Sequence, residues 1–129
     1  MTSKYRLTLA TLSGVALGAV GVAALHAQTK PPAYYITQIE LTGDADAFVK
    51  NYASKVLATV EPFGGRFIVR GAKAIHLEGD PARSRNAVIQ FDNIEKAQAW
   101  YNSPAYQQLA PIRRSLAKTN SYLVEGPSN

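Results

Sequence analysis

The chain has 129 residues, enough for one domain. Apolar residues make up 47% and charged residues 18%, a balance that excludes an intrinsically disordered polymer. The formal charge of +5 is dispersed and partly terminal, which argues against a nucleic-acid binder.

The N-terminus carries the clearest signal. "MTSKYR" holds Lys4 and Arg6, an uncharged run follows to Gln28, and "TKPPAYY" comes next. A basic segment, an apolar segment and small residues before a polar stretch predict a signal peptide over residues 1–27. Cleavage is expected after Ala27. Leu25 at the −3 position is larger than the pattern prefers, so cleavage after Ala24, with Val22 at −3, is the alternative. The rival reading is a retained anchor, because Leu7 to Leu25 is 19 residues, just long enough to span a bilayer. Gly14, Gly18 and Gly21 dilute its hydrophobicity. Both readings put the folded part outside the cytoplasm: periplasmic or secreted if cleaved, membrane-anchored if not. Residues 28–33 read as a linker, 34–126 as the domain and 127–129 as a tail.

Without residues 1–27 the chain keeps 102 residues and a net charge of +3, and it has no cysteine. An exported domain without disulfides is held by core packing alone, and one this small buries only about two-thirds of its surface. Burying a sheet face against a second subunit would help, which motivates a homodimer.

The elements follow in order. "YYITQIEL", 34–41, is rich in β-branched and aromatic residues and predicts a strand. A helix follows, with Asp44 as N-cap, Asp46 at its positive end and a stripe of Val49, Tyr52, Val56 and Val60. Pro62 and Gly64-Gly65 end it. "RFIVRG" is the next strand, expected to continue past a kink at Gly71 into "AIHLEG", 74–79. "DPARSR" is a loop and "NAVIQFD", 86–92, a strand. Asp92 and Glu95 stand in capping-box spacing before a helix. Ser103-Pro104 starts another, with a stripe of Tyr106, Leu109, Ile112 and Leu116; Pro111 is expected to kink it or end its first part. "SYLVEG", 121–126, is the last strand.

Strand, helix, strand, strand, helix, strand is the ferredoxin-like βαββαβ order. The expected class is therefore α+β, an antiparallel sheet with helices on one face. Matching apolar sets assigns Ile39, Leu41, Phe67, Val69, Ile89, Phe91, Tyr122 and Val124 to the helix-covered face. The open face then carries Ile36, Gln38, Arg66, Ile68, Arg70, Val88, Gln90 and Leu123. That mixture suits a subunit interface or a cleft with a few polar groups, and a bulge at Gly71 would shift whatever follows it.

"YYITQIEL", "EPFGGRFIVRG", "LEGD", "VIQFDNIEKAQAWYNSPAYQQL" and "YLVEG" resemble the bacterial family known as domain of unknown function 1330, over about residues 33–126. The resemblance implies the dimeric α/β-barrel superfamily, in which two ferredoxin-like subunits set their sheets face to face. Small monooxygenases and haem enzymes are relatives there, but the family itself has no agreed activity. The export segment departs from the bare domains that many members are. The family pattern falls on Gly65, Arg70, Gly71, Glu78, Gly79, Trp100, Tyr101, Ser103, Tyr106 and Arg113.

Each candidate has a sharp and a plain reading. Arg70, with Arg66 beside it on the open face, suits a carboxylate or phosphate; the plain reading is an interface salt bridge with Glu40 or Glu78. Arg113, beside Arg114, reads as a solvated helix face. His76 and Glu78 share a strand face and suggest an acid–base pair or a metal site; one histidine and no cysteine make a poor ligand set, so no metal is expected. A haem would need the same His76 as axial ligand, and no cofactor is expected. Trp100, Tyr101 and Tyr106 line an aromatic pocket or form core. Ser103 is a cap, without the surroundings of a nucleophile. Gly64-Gly65 precedes a strand, the wrong order for a phosphate loop. The reading adopted is an exported homodimer that binds a small organic ligand or a protein partner. The alternative is a cofactor-independent monooxygenase-like or isomerase-type enzyme using Arg70, His76 and the aromatic pocket.

Overall fold

The computed structural model describes residues 30–128. The expected export segment 1–27, its cleavage sites, the start of the linker and Asn129 lie outside the described residues. Pro31–Ser128 forms one compact unit. Its elements are β1 (Ala33–Leu41), a helical run α1 (45–60), β2 (Arg66–Ala72), β3 (Arg85–Phe91), α2 (Ile94–Tyr101), α3 (Pro104–Leu116) and β4 (Ala117–Glu125). The sheet order is β2-β3-β1-β4 with every pair antiparallel, the ferredoxin-like arrangement.

Local chemistry sets the helix ends. Asp44 caps α1 by accepting from the Asp46 amide at 2.9 Å. A π-helical turn over Val49–Ala53 then widens the helix. The buried stripe consequently runs Phe48, Tyr52, Val56, Val60, and Val49, expected in it, is 46% exposed. Gly64, at φ 72°, closes the short 3₁₀ turn that ends this run. Gly65 is required by packing, because a Cβ there would lie 2.5 Å from Val60 and 2.6 Å from Phe91.

The expected Asp92–Glu95 capping box is not formed. Helix α2 starts one residue later than that spacing assumed. Asn93 caps it by accepting from the Lys96 amide at 2.9 Å, and Asp92 pairs with the Lys96 ammonium at 3.0 Å. Ser103 caps α3 as expected, accepting from the Tyr106 amide while donating to the Trp100 carbonyl. Pro111 does not end α3, which continues to Leu116; the residue lies on the exposed side. Strand β4 begins at Ala117, four residues before the expected start.

Residues 73–84 form an exposed excursion without ladder pairing, so the strand expected over 74–79 is absent. Gly71, at φ 70°, and the register shift between Arg70 and Ala72 end the ladder before it. Asn86 closes the base of the excursion, its amide donating to the carbonyls of Ala72 and Arg83 at 3.1 Å each.

The register settles which side chains share a face. A second irregularity lies between Phe67 and Val69, so Ile68 is an inserted residue. On the helix side, rows cross the sheet as Phe67, Ile89, Tyr35, Leu123; then Arg70, Ala87, Thr37, Ser121; then Arg85, Ile39, Thr119. On the open side, Arg66, Gln90, Tyr34 and Val124 form one row and Val69, Val88, Ile36 and Tyr122 the next. The assignment of Ile39, Leu41, Phe67, Ile89 and Phe91 to the covered face holds. Val69, Tyr122 and Val124 belong instead to the open face, and Arg70 and Leu123 to the covered one. The Ile68 bulge reverses β2. In β4 both alternating sets contain large apolar side chains, so matching apolar sets picked the wrong one.

The core is aromatic. Fully buried Trp100 meets the rings of Tyr35, Phe91 and Tyr106 at centroid distances of 4.9, 5.5 and 4.4 Å. Its indole N–H donates to the Thr59 hydroxyl at 3.0 Å, so the one polar atom of that side chain is satisfied.

Candidate functional site

A cavity of about 360 Å³ opens between α1 and the β2–β3 side of the sheet. Ile39, Phe48, Val56, Phe67 and Ile89 supply its apolar wall, and the π-helical turn contributes Val49, Tyr52 and Ala53. The volume falls at the small end of the range of ligand sites, and π-helical turns recur at such sites. Its polar groups are few: Thr37, Tyr52, Ser54, Asn86, Arg70 and Arg85. Among the described residues no aspartate or glutamate lines it.

Each arginine is held by an aromatic ring of the same wall. The Arg70 guanidinium carbon lies 4.6 Å from the Phe67 ring centre, and that of Arg85 lies 5.6 Å from the Phe48 ring centre. Arg70 also donates to the Ala53 carbonyl at 3.4 Å, tying the edge strand to the π-helical turn. Cation–π stacking of this kind occupies the faces of a guanidinium and leaves its N–H edges for other partners.

Behind the cavity lies a hydroxyl-rich cluster. Tyr35 donates to the Ser121 hydroxyl at 3.1 Å, Thr37 and Ser121 share a bond of 2.7 Å, and the hydroxyls of Tyr52 and Tyr106 meet at 2.9 Å. Burial pushes the Tyr52 phenol up to about 12 and raises that of Tyr106 further. Both stay protonated at neutral pH. Arg113 is part of this cluster and only 5% exposed, so its reading as a solvated helix face is corrected. Burial works against its charge, but Tyr106, Tyr52 and Tyr35 together hold its pKa above the ordinary arginine value. Its Nε and the Thr119 hydroxyl lack a hydrogen-bond partner. The signal was present in the sequence: Arg113 stands seven residues after Tyr106, on the stripe that Leu109 and Ala110 continue.

The expected site residues are thus divided. Arg66 stands on the open face, bonded to Gln90 at 3.0 Å. Arg70 and, from the family pattern, Gly71 line the cavity; Arg70 faces the helices and not the open side, and Glu40, offered as its partner, accepts from the Ser84 amide. His76 and Glu78 lie in the exposed excursion, outside the cavity wall. Trp100 and Tyr106 are core, and half-buried Tyr101 packs against both. Ser103 is a cap. Arg85, Phe48, Thr37 and Tyr52 were missed as site residues. Phe48 and Arg85 became neighbours only through the π-helical turn and the β3 register. Among the described residues no group of three His, Cys, Asp or Glu side chains gathers to hold a metal.

A four-stranded antiparallel sheet with a cavity under its helices defines a small ferredoxin-like α+β domain. The chain belongs to the family described as Domain of unknown function (DUF1330), which it matches over residues 32–127. No curated protein matches it. Among solved structures it is similar to a protein of unknown function from Rhodopseudomonas palustris, with a TM-score of 0.62 and 13% identity, covering 83% of this chain and 92% of that one. It is similar also to a hypothetical Arabidopsis thaliana protein, with a TM-score of 0.58 and 16% identity over 78% and 93% of the two chains. A third likeness is to SnoaB, a cofactor-independent oxygenase from Streptomyces nogalater, at a TM-score of 0.56 and 13% identity over 77% and 96%. At these identities the likeness is one of fold.

Proposed function

We propose that this protein is a homodimeric binding domain that acts outside the cytoplasm and takes a small organic ligand between α1 and the sheet. The cavity carries the reading: it is formed within one chain, walled by apolar and aromatic side chains, and furnished with a few converging polar groups. A thermal-shift screen of small organic compounds against the unaltered chain and Ala87→Phe, which fills the cavity floor, tests it. Compounds that raise the Tm of the first and not the second are expected. A screen in which every compound shifts both chains alike would remove the reading.

The open face supports the second copy. Val69, Val88, Ile36 and Tyr122 form an apolar row across all four strands, and Ile68, Tyr122 and Val124 are 48%, 45% and 37% exposed. An apolar row rimmed by Arg66, Gln90 and Gln38 suits a subunit interface. A different protein partner is the alternative occupant, and light scattering of the purified chain separates the two. The export reading rests on residues 1–27 of the sequence; the mass of the protein from its native host shows whether they remain.

An enzyme of the cofactor-independent oxygenase or isomerase type is the alternative. Its support is the fold shared with SnoaB. Two observations weigh against it: His76 is outside the cavity wall, and Tyr52 is held protonated and suits hydrogen-bond donation rather than base catalysis.

A further inference from the structure

The two arginines of the cavity narrow the class of ligand. Arg70 stands opposite Ala87 on the helix side of the sheet, and Arg85 is two residues from Ala87 on the same face of β3. Diagonal neighbours of this kind have their Cα atoms about 7–8 Å apart. Two cations therefore border one apolar hollow, and among the described residues no acidic side chain lines it to offset them. One face of each guanidinium is already covered, that of Arg70 by Phe67 and that of Arg85 by Phe48. What remains unanswered is negative charge presented to the N–H edges, next to an apolar space walled in part by the aromatic rings of Phe48 and Phe67.

Resting on the small-ligand reading above, we propose that the ligand is a flat organic acid: an aromatic or unsaturated body lying among Phe48, Phe67 and Ile89, with a carboxylate or similar anionic group between Arg70 and Arg85. Guanidinium groups bind carboxylates through paired, charge-assisted hydrogen bonds, and stacking on a ring fixes the plane in which they do so. Thr37 and Tyr52 place hydroxyls in the same wall and suit a polar substituent on the body. A phosphorylated nucleotide fits less well, because the volume is small and no glycine-rich turn approaches the arginines.

The test compares 2-naphthoate with its neutral counterpart 2-naphthamide, titrated into the full chain and followed by amide chemical shifts. Naphthoate is expected to shift signals of the π-helical turn and of β3, with an affinity at least about tenfold above that of the amide. Arg70→Gln and Arg85→Gln should each weaken naphthoate while leaving the amide unchanged, and the double variant should bring the two probes level. Amide binding that matches naphthoate in the unaltered chain, or a preference that survives in the double variant, overturns the anion assignment and leaves an occupied cavity standing. If neither probe moves signals of the cavity wall at millimolar concentration, both this assignment and the binding reading fall.

Discussion

Tyr52 of the π-helical turn and Tyr106 of α3 meet hydroxyl to hydroxyl at 2.9 Å inside the core, 54 residues apart in sequence. Replacing one tyrosine leaves the other hydroxyl buried without that partner. Tyr106→Phe should therefore lower stability by about 1–3 kcal/mol. Removing both hydroxyls orphans neither member of the pair but takes both from beside the buried Arg113 guanidinium, so the Tyr52→Phe, Tyr106→Phe double variant should cost more than either single change. Urea unfolding of the three variants checks the comparison.

The same pair sets an alkaline limit. Tyr52 loses its proton near 12 in the folded chain against an ordinary 10.0. Between those values the unfolded chain has released a proton that the folded chain retains. Stability must therefore fall as pH rises through that window, by up to about 1.4 kcal/mol per pH unit from Tyr52, and Tyr106 acts in the same direction. Absorbance of tyrosinate should show a fraction of the tyrosines ionising only together with unfolding. Tyr52→Phe should make the loss of stability shallower.

Gly65 and Gly71 separate packing from backbone strain. A methyl group at 65 would press on Val60 and Phe91, whereas one at 71 meets nothing within 4 Å and bears only the cost of φ 70°. Gly71→Ala is expected to cost about 1–2 kcal/mol. Gly65→Ala should cost about 1–3 kcal/mol and also broaden the unfolding transition or shift Trp100 fluorescence, because overpacking displaces the core. Equal, purely energetic effects with unchanged fluorescence would argue against this division.

The open sheet face yields a prediction about assembly. Placing charge in its apolar row, as Ile36→Glu with Tyr122→Glu, should convert a dimer into a monomer in light scattering while leaving the helix-side core folded by circular dichroism. A chain that is monomeric before substitution would contradict the proposed pairing.

Much of the fold was legible. The period-two alternation of β1, the Asp44 and Ser103 caps and the Gly64 stop each have one local cause, and each appears where the sequence put it. The candidate site was less so. Arg70 was singled out but aimed at the wrong side, because an inserted residue at Ile68 leaves no mark in a run of β-formers. Phe48 was passed over for Val49, since a π-helical turn shifts a stripe by one position without any proline or glycine to announce it. His76 attracted notice as a lone titratable group, yet its segment has no strand to pair with, a matter of partner register that lies outside local pattern.

The extra residue in β2 acts as a frameshift in space. Were the bulge flattened with Ile68 kept in the strand, simple alternation would exchange the outlooks of Val69 and Arg70, sending a cation to the open side of the sheet and a valine into the hollow; deleting Ile68 should instead leave both where they are, because they already stand opposite Val88 and Ala87. The bulge is therefore a chemical statement: by looping out one residue it decides which side of the sheet receives the charge.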